Sequence, residues 1–358
     1  MNCQQAVRIN FILPLTELLL KEWKMKHCGI LLSLSLTFCV LAMTARVAHS
    51  QDTATPGTGR VHMVITDQAL SDNSEVLALR PESIKVKQGK NSLEVTQLIP
   101  ARGDNAALQL FILIDDTCDP GIGNNFNDIR DFINTQPAST LVGVAFMSNA
   151  TFQIAQNLTA DHALAAKALR LPRGTLSAMD SPYLSLISLV KSWPEQKARR
   201  EVLMISDGID RLRGESAAGG QMSSRGRLAP VSYTTSTISP DADTASTNSQ
   251  RYGVIVHSIY ATGAGRLGRN AWQAQLGQSG VAKIADETGG EYYALGIQNA
   301  ISFKPYLDRL QRVFDNQYYL VFQAVPGKKD SLQRVNISTE AANVDVAAAN
   351  NVWVPAGK

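Results

Sequence analysis

Cysteine and histidine are scarce in this sequence of 358 residues, which contains four cysteines and five histidines. Three of the cysteines precede residue 40, so the long remainder contains only Cys118 and cannot form an internal disulfide. His62, His162 and His257 lie far apart and show no ligand spacing. Zinc sites built from clustered cysteine and histidine are therefore excluded from this remainder.

The sequence also lacks an excess of either charge outside its first 50 residues. The whole chain has 34 lysines and arginines against 31 aspartates and glutamates, but residues 1–50 contain five of the basic and two of the acidic ones. The remainder therefore has 29 of each sign. With its charges balanced, it is not expected to bind nucleic acid or an anionic membrane surface.

The first 50 residues differ from the rest in composition and predict a secretory signal peptide. A short basic stretch begins at Met25, and the apolar run at 29–43 is followed by small residues at Ala48 and Ser50. The run is shorter than the ~20 residues that a membrane span needs. We therefore expect cleavage before Gln51 and no membrane span in the mature chain, although an uncleaved anchor is the alternative. Translation is expected to start at Met25, and the protein is expected to be exported, periplasmic or extracellular.

The hydrophobic pattern changes twice along the rest of the chain, which predicts an α/β core between two β segments. Residues 51–60 are predicted to be a flexible start, and residues 61–100 show the apolar alternation of strands. Residues 105–317 alternate apolar runs with helical patterns, and residues 318–355 return to β character. We expect the two β segments to pack in a small β-sandwich. The alternative is that the tail adds strands to the edge of the main sheet.

The central segment predicts a doubly wound, mostly parallel sheet of the α/β class. Residues 108–114 form a continuous apolar run, as expected of a strand buried on both faces. Ser181-Pro182 and Ser239-Pro240 each place a capping serine before a proline, the order that opens a helix. Strands that alternate with helices in this way pair in parallel through right-handed crossovers.

Acidic and hydroxyl side chains follow two of the predicted strands. Ligands of doubly wound sheets gather outside the carboxyl ends of the strands, so we expect these side chains to converge there. The predicted cation ligands all have side-chain oxygen atoms. They are Asp115, Thr117, Asp119, Thr175 and Asp207. Ser177 offers an alternative hydroxyl in the same loop as Thr175. Such a donor set favours Mg²⁺ or Ca²⁺ over zinc.

At these residues the sequence resembles the von Willebrand factor type A (VWA) superfamily, and it is most similar to exported VWA-related proteins of the acidobacterial type. In the metal-ion-dependent adhesion site of that family, Asp115 would correspond to the first acid, Thr117 to the first hydroxyl and Asp207 to the distal acid. Thr175 or Ser177 would supply the hydroxyl of the second loop. The family therefore implies that these residues form one cation site.

The resemblance covers roughly residues 58–355 and is most specific at 200–210. It implies a VWA/Rossmann-like fold and a non-enzymatic protein that mediates protein–protein binding or adhesion. The bound cation would capture an acidic side chain of the partner. The sequence departs from the family at Asp119, where a serine is expected. An aspartate there would weaken this capture or make the site structural, unless the turn at 119–121 directs the side chain away.

Two loops flank the predicted site, at 211–237 and 262–280. Their arginines could screen an acidic partner surface, and an exposed tryptophan could anchor a partner. The alternatives are a mobile insert and a tryptophan that packs onto the domain. The candidate residues near these loops are Asp210, Arg211, Arg213, Arg266, Arg269 and Trp272.

Two other functions compete with cation-assisted binding. A phosphatase of the haloacid dehalogenase type would use a nucleophilic aspartate and Mg²⁺, but it needs a second acid where this chain has Thr117. Cys118 has no identifiable partner histidine, and acids on both sides oppose its thiolate form. The remaining hypothesis is a VWA scaffold that assembles with partners without any metal.

Overall fold

A strand with apolar side chains on both faces forms the centre of the molecule. In a computed structural model, this strand, β5 (Leu108–Asp115), is buried at every position. Its alternate side chains enter two separate cores, with Leu110 and Ile112 in one and Phe111 and Leu113 in the other. Each fully buried apolar side chain of this kind contributes ~1.5–3 kcal/mol, which explains why the strand is apolar at every position except Gln109 and Asp115.

The structure describes residues 59–69, 79–194, 198–212, 238–265, 271–294, 296 and 300–357. The predicted signal region 1–50 lies outside these ranges, as does most of the predicted flexible start at 51–60. Arg213, Arg266 and Arg269 also lie outside the described residues.

The central sheet has six strands in the order β10-β9-β8-β5-β6-β7. Five run parallel, and β7 at the edge pairs antiparallel with β6. Asn149 and Ala150, which join β6 to β7, both have positive φ, as a tight hairpin turn of the favoured twist requires. The strands other than β5 are β6 (Thr140–Ser148), β7 (Thr151–Thr159), β8 (Arg199–Ser206), β9 (Val254–Tyr260) and β10 (Tyr292–Tyr293).

Helices cover both faces of this sheet. One core includes side chains of α1 (Phe126–Asn134), α2 (His162–Lys167) and α6 (Lys304–Asp315). The other includes side chains of α3 (Pro182–Lys191), α4 (Pro240–Arg251) and α5 (Ala271–Thr288). Ser181 and Ser239 cap α3 and α4 through their side chains, at the predicted helix starts. The predicted doubly wound α/β fold is confirmed.

The two ends of the chain form antiparallel sheets around a third core. β1 pairs with β11 from Arg60↔Gln323 to Thr66↔Gln317, within a sheet of order β14-β1-β11-β4. Smaller sheets, β13-β2-β3 and β12-β15, contribute Val86 and Val354 to the same core. The predicted terminal β-sandwich is therefore present. Its strands are β1 (Arg60–Ala69), β2 (Ile84–Gln88), β3 (Asn91–Leu93), β4 (Val95–Pro100), β11 (Gln317–Gln323), β12 (Ser331–Arg334), β13 (Asn336–Thr339), β14 (Val344–Ala348) and β15 (Asn351–Val354).

The prediction of a loop over residues 262–280 is wrong in its second half, because helix α5 begins at Ala271. Gly277 and Gly280 lie inside this helix rather than ending it. A Cβ at Gly277 would stand 2.0 Å from the carbonyl oxygen of Asp207, and one at Gly280 would stand 2.0 Å from Tyr183 Oη. Gly277 is therefore needed for close packing of α5 against the end of β8, and Gly280 for its packing against Tyr183 of α3. Among the described helices, none is long and apolar enough to cross a membrane.

Replacement of Gly277 by alanine should destabilise the protein although alanine favours helices by ~1 kcal/mol. The added Cβ would collide with the Asp207 carbonyl oxygen, and overpacking of this kind costs about 1–3 kcal/mol. Urea unfolding of Gly277→Ala measures the loss. Gln275→Ala, at an exposed position of the same helix, is the control and should stay within about 0.5 kcal/mol of wild type. A more stable Gly277→Ala variant would contradict the packing.

Candidate functional site

The carboxyl ends of β5 and β8 are joined by the side chain of Asp115. Its Oδ1 accepts hydrogen bonds from the Thr117 backbone N–H (2.9 Å) and from Thr117 Oγ1 (2.7 Å). Its Oδ2 accepts from Ser206 Oγ at 2.7 Å. Asp115, Thr117 and Ser206 are all buried. The first predicted acid therefore forms internal hydrogen bonds to the two hydroxyls nearest to it.

Asp207 forms a buried ion pair with Arg211, at the point where the cation ligands were predicted to converge. Arg211 Nη2 lies 2.5 Å from Asp207 Oδ2, and Arg211 Nη1 donates to Thr117 Oγ1 at 3.2 Å. The exposed fractions of the two side chains are 2% for Arg211 and 0% for Asp207. Asp207 Oδ1 also accepts from the Ile209 N–H at 2.9 Å. The guanidinium thus connects the distal acid to the first hydroxyl.

The segment that follows β9 lies across this ion pair. The Ala264 N–H donates to the Thr117 carbonyl and the Asp119 N–H donates to the Thr262 carbonyl, both at 2.8 Å. A Cβ at Gly263 would stand 2.0 Å from Asp207 Oδ2 and 3.1 Å from Arg211 Nη2. Only a residue without a side chain fits here, so the backbone of this segment covers Asp207 and Arg211 directly.

Burial controls the protonation of this cluster. It raises the pKa of Asp115 to about 6, with the negative charge of Asp207 adding to the effect and Arg211 opposing it. Burial disfavours the charged form of Arg211 and acts to lower its pKa. The negative charges of Asp207 and Asp115 outweigh this effect, so the pKa of Arg211 lies above its ordinary value. Burial, Asp115 and Asp207 also raise the pKa of Cys118. These groups consequently favour the protonated thiol of Cys118 over its thiolate.

Asp116, the second acid of the pair at the end of β5, holds a neighbouring loop. Arg170 contacts its two carboxylate oxygens through Nη1 (2.6 Å) and Nη2 (2.8 Å), and the Arg173 N–H donates to Oδ1 at 3.3 Å. The Gly174 N–H donates to the Asp116 carbonyl at 2.9 Å. The Arg170 guanidinium also lies 3.7 Å from the centre of the Phe146 ring. These two arginines follow the end of α2 and were not predicted as part of the site, because neither belongs to a recognisable sequence motif.

The other predicted ligands lie in turns or face solvent. Asp119 Oδ1 accepts from the Gly121 N–H at 2.8 Å and caps a short 3₁₀ helix at Pro120–Asn125. Thr175 is exposed. Ser177 Oγ accepts from the Met179 N–H at 3.1 Å, within the same loop. These three side chains stabilise turns or face solvent and do not join Asp115 and Asp207.

The remaining candidates are divided between the interior and the surface. Asp210 is fully buried, and its Oδ2 accepts from Ser239 Oγ at 2.5 Å, which links the end of β8 to the start of α4. Trp272 lies in the first turn of α5 and is 46% exposed. Trp272 was predicted in a loop, and its position in a helix follows from the early start of α5.

The donor set does not fit a divalent cation in this arrangement. Of the five predicted ligands, the structure brings together Asp115, Thr117 and Asp207, and a guanidinium already contacts two of these three. Within the described ranges, no group of three or more histidine, cysteine, aspartate or glutamate residues is placed to hold a metal ion. Binding of Mg²⁺ or Ca²⁺ remains a prediction from the resemblance, without support from this geometry.

No family model matches the sequence, and no curated protein matches it. Similar solved structures include an aerotolerance-related membrane protein from Bacteroides fragilis (TM-score 0.38, 10% identity, 58% of this chain and 99% of that one). A von Willebrand factor type A protein from Catenulispora acidiphila has a TM-score of 0.37 and 11% identity over 70% of this chain and 67% of its own. The SpRpn10 VWA domain has a TM-score of 0.31 and 10% identity, covering 55% of this chain and 97% of its own. VWA domains are thus among the similar structures, but likeness of this size does not establish a family or a function.

Stability should depend on pH through Asp115. Its pKa of about 6 lies above the ordinary 3.8, so the folded state holds a proton that the unfolded state has released between these values. The contribution of Asp115 to the free energy of unfolding is fully present below pH 4. It is lost as the pH rises through 6. Relative to wild type, Asp115→Asn should therefore gain about 1–3 kcal/mol between pH 4 and pH 7.

Urea unfolding at a series of pH values measures this difference. Asp104→Asn, which removes an exposed carboxylate, is the control and should follow the pH dependence of wild type. A difference between Asp115→Asn and wild type that stays constant from pH 4 to pH 7 would contradict the raised pKa of Asp115.

Proposed function

We propose that this chain is an exported, non-enzymatic module that binds another protein through the loops at the carboxyl ends of its parallel strands. The observation that carries the proposal is the apolar loop, residues 171–179 between α2 and α3. Leu171, Leu176 and Met179 are 56%, 40% and 56% exposed. Single exposed apolar side chains are ordinary, but three on one loop form a surface from which a partner would displace water.

The apolar loop is held in place by contacts of the site. Asp116 binds Arg170 just before the loop and the backbone of Arg173 and Gly174 within it. At its other end, Asp180 accepts from the Ser177 N–H at 2.6 Å. A loop that is ordered before binding loses less conformational entropy when a partner docks. These contacts support a preformed binding surface.

A non-catalytic role is supported by the burial of the groups that could react. Asp115, Asp207 and Cys118 are at most 3% exposed, and each carboxylate has hydrogen-bonding partners inside the protein. The backbone at Gly263 lies directly against the carboxylate of Asp207 and would have to move before a substrate could contact that oxygen. The alternative of a metal-dependent hydrolase therefore has less support than a binding module.

The proposed contact differs from the cation-assisted one implied by the resemblance. In that mechanism an exposed cation would capture an acidic side chain of the partner. Here the positive group at the corresponding place is the buried guanidinium of Arg211, which is covered by Gly263. We therefore propose that the partner docks on apolar side chains rather than through one of its carboxylates. Export to the periplasm or the extracellular space rests on the signal pattern in residues 1–50.

The test is capture of a partner with three versions of the protein as bait. Wild type, the loop variant Leu171→Ser/Leu176→Ser/Met179→Ser and a control are cross-linked to the native envelope and secreted fractions. The control Ile154→Ser/Leu164→Ser removes apolar side chains of similar exposure, 45% and 46%, outside the loop. The affinity for the captured protein is then measured by calorimetry.

We expect the loop variant to bind the captured protein about tenfold more weakly or worse, because buried apolar anchors dominate interfaces. The control should bind like wild type. Equal affinity for all three baits would contradict the proposed surface. Turnover in a phosphatase screen that Asp115→Asn abolishes would contradict the non-enzymatic role.

A further inference from the structure

We propose that the guanidinium of Arg211 permanently takes the place of a divalent cation at the carboxyl ends of β5 and β8, so that this edge of the sheet is assembled without metal. This inference concerns the interior of the site. The role of Arg211 does not depend on whether a partner binds the apolar loop.

The first support is the position of the guanidinium among the donors. Arg211 contacts Asp207 through Nη2 at 2.5 Å and Thr117 Oγ1 through Nη1 at 3.2 Å. Thr117 Oγ1 in turn donates to Asp115 Oδ1 at 2.7 Å. A single cationic group thus links the carboxylates of both strand ends, directly for Asp207 and through one hydroxyl for Asp115. A metal ion bound to the same three residues would make the same link.

The second support is the charge balance of the site. Two buried carboxylates repel each other, and this repulsion contributes to the raised pKa of Asp115. The positive charge of Arg211 compensates part of this repulsion from inside the protein, with a side chain that is 2% exposed. A divalent cation entering here would meet the guanidinium at short range and would have to give up its water. The oxygen atoms of the site therefore already have a positively charged partner inside the protein, the guanidinium of Arg211.

The third support is the way in which the chain fixes Arg211. It lies four residues after Asp207, and Gly208 between them adopts a positive φ of 67° that favours glycine. Arg211 Nη1 also donates to the Ile209 carbonyl at 3.3 Å. The Leu212 N–H donates to the Asp180 carbonyl at 2.9 Å. The turn therefore directs the guanidinium inward and anchors the backbone immediately after it.

The segment after β9 completes the enclosure. Gly263 lies so close to Asp207 Oδ2 and Arg211 Nη2 that a Cβ would overlap the carboxylate. This backbone therefore lies directly against Asp207 Oδ2 and Arg211 Nη2 and leaves no room there for a hydrated ion. Thr262 and Ala264 are hydrogen-bonded to Asp119 and Thr117 in the loop after β5, which fixes this segment over the ion pair.

The experiment compares the purified full chain with four variants. Each protein is titrated with MgCl₂, CaCl₂ and MnCl₂ by calorimetry, and its Tm is measured with chelator, with each cation and with NaCl of equal ionic strength. The variants are Arg211→Ala, Asp207→Asn, the double variant Arg211→Ala/Asp207→Asn and the control Arg312→Ala. Arg312 is an exposed arginine in the last turn of α6.

Wild type and Arg312→Ala should give no saturable heat and the same Tm in chelator as in divalent cation. Arg211→Ala should lower the Tm by roughly 5–15 °C in chelator, because it leaves a buried charge without its partner. A divalent cation, but not NaCl, should restore part of the lost Tm. Without the guanidinium, the two carboxylates and Thr117 are free to bind the cation. The double variant should lose this response because it lacks the second acid.

Saturable binding of a divalent cation by wild type, abolished by Asp207→Asn, would overturn the proposal. So would an Arg211→Ala variant that keeps the wild-type Tm in chelator, or one that regains no stability with a divalent cation. Should Arg211→Ala fail to fold, the calorimetry of wild type and Asp207→Asn decides the question alone. Absence of heat in wild type then supports the internal cation, and saturable heat that Asp207→Asn removes contradicts it.

Discussion

The buried ion pair between Asp207 and Arg211 is the interaction on which the carboxyl-terminal edge of the parallel sheet depends. A carboxylate enclosed by protein is strongly unfavourable unless a positive group and hydrogen bonds compensate it. Here one guanidinium contacts Asp207 and Thr117, and Thr117 contacts Asp115, so that the ends of two neighbouring strands share one network. Gly263 covers the pair and excludes water, which strengthens the attraction within it.

The two adjacent acids at the end of β5 make contacts on different sides of the strand end. Asp115 points into the network with Thr117 and Ser206, whereas Asp116 binds Arg170 and orders the apolar loop outside. The strand that forms the centre of the core therefore also positions both the internal charge cluster and the exposed surface. The exposed loop therefore rests on a rigid interior, which is the arrangement that the proposed binding surface requires.

Most of the fold could be predicted because its signals are local. The apolar run of β5 and the serine caps of α3 and α4 depend on neighbouring residues alone. The early start of α5 could not be predicted in this way, since Gly277 and Gly280 are typical of helix ends in isolation. Their reason is tertiary, namely contact with Asp207 and Tyr183, which are distant in sequence.

The candidate site was predictable in its location but not in its chemistry. Asp115, Thr117 and Asp207 converge as their places after two parallel strands imply. Arg211 was expected at a loop surface because arginine is rarely buried, and only the turn from Gly208 to Leu212 reveals that it points inward. Asp119 has the right spacing for a ligand, but the turn at Pro120 and Gly121 uses its carboxylate locally.

Crystals of the protein grown with MnCl₂ and measured at the manganese absorption edge would show whether the cation at the strand ends is internal. We expect a guanidinium in contact with Asp207 and Thr117 and no anomalous peak among Asp115, Thr117 and Asp207. A manganese peak bonded to these residues, with Arg211 turned out of the site, would contradict it.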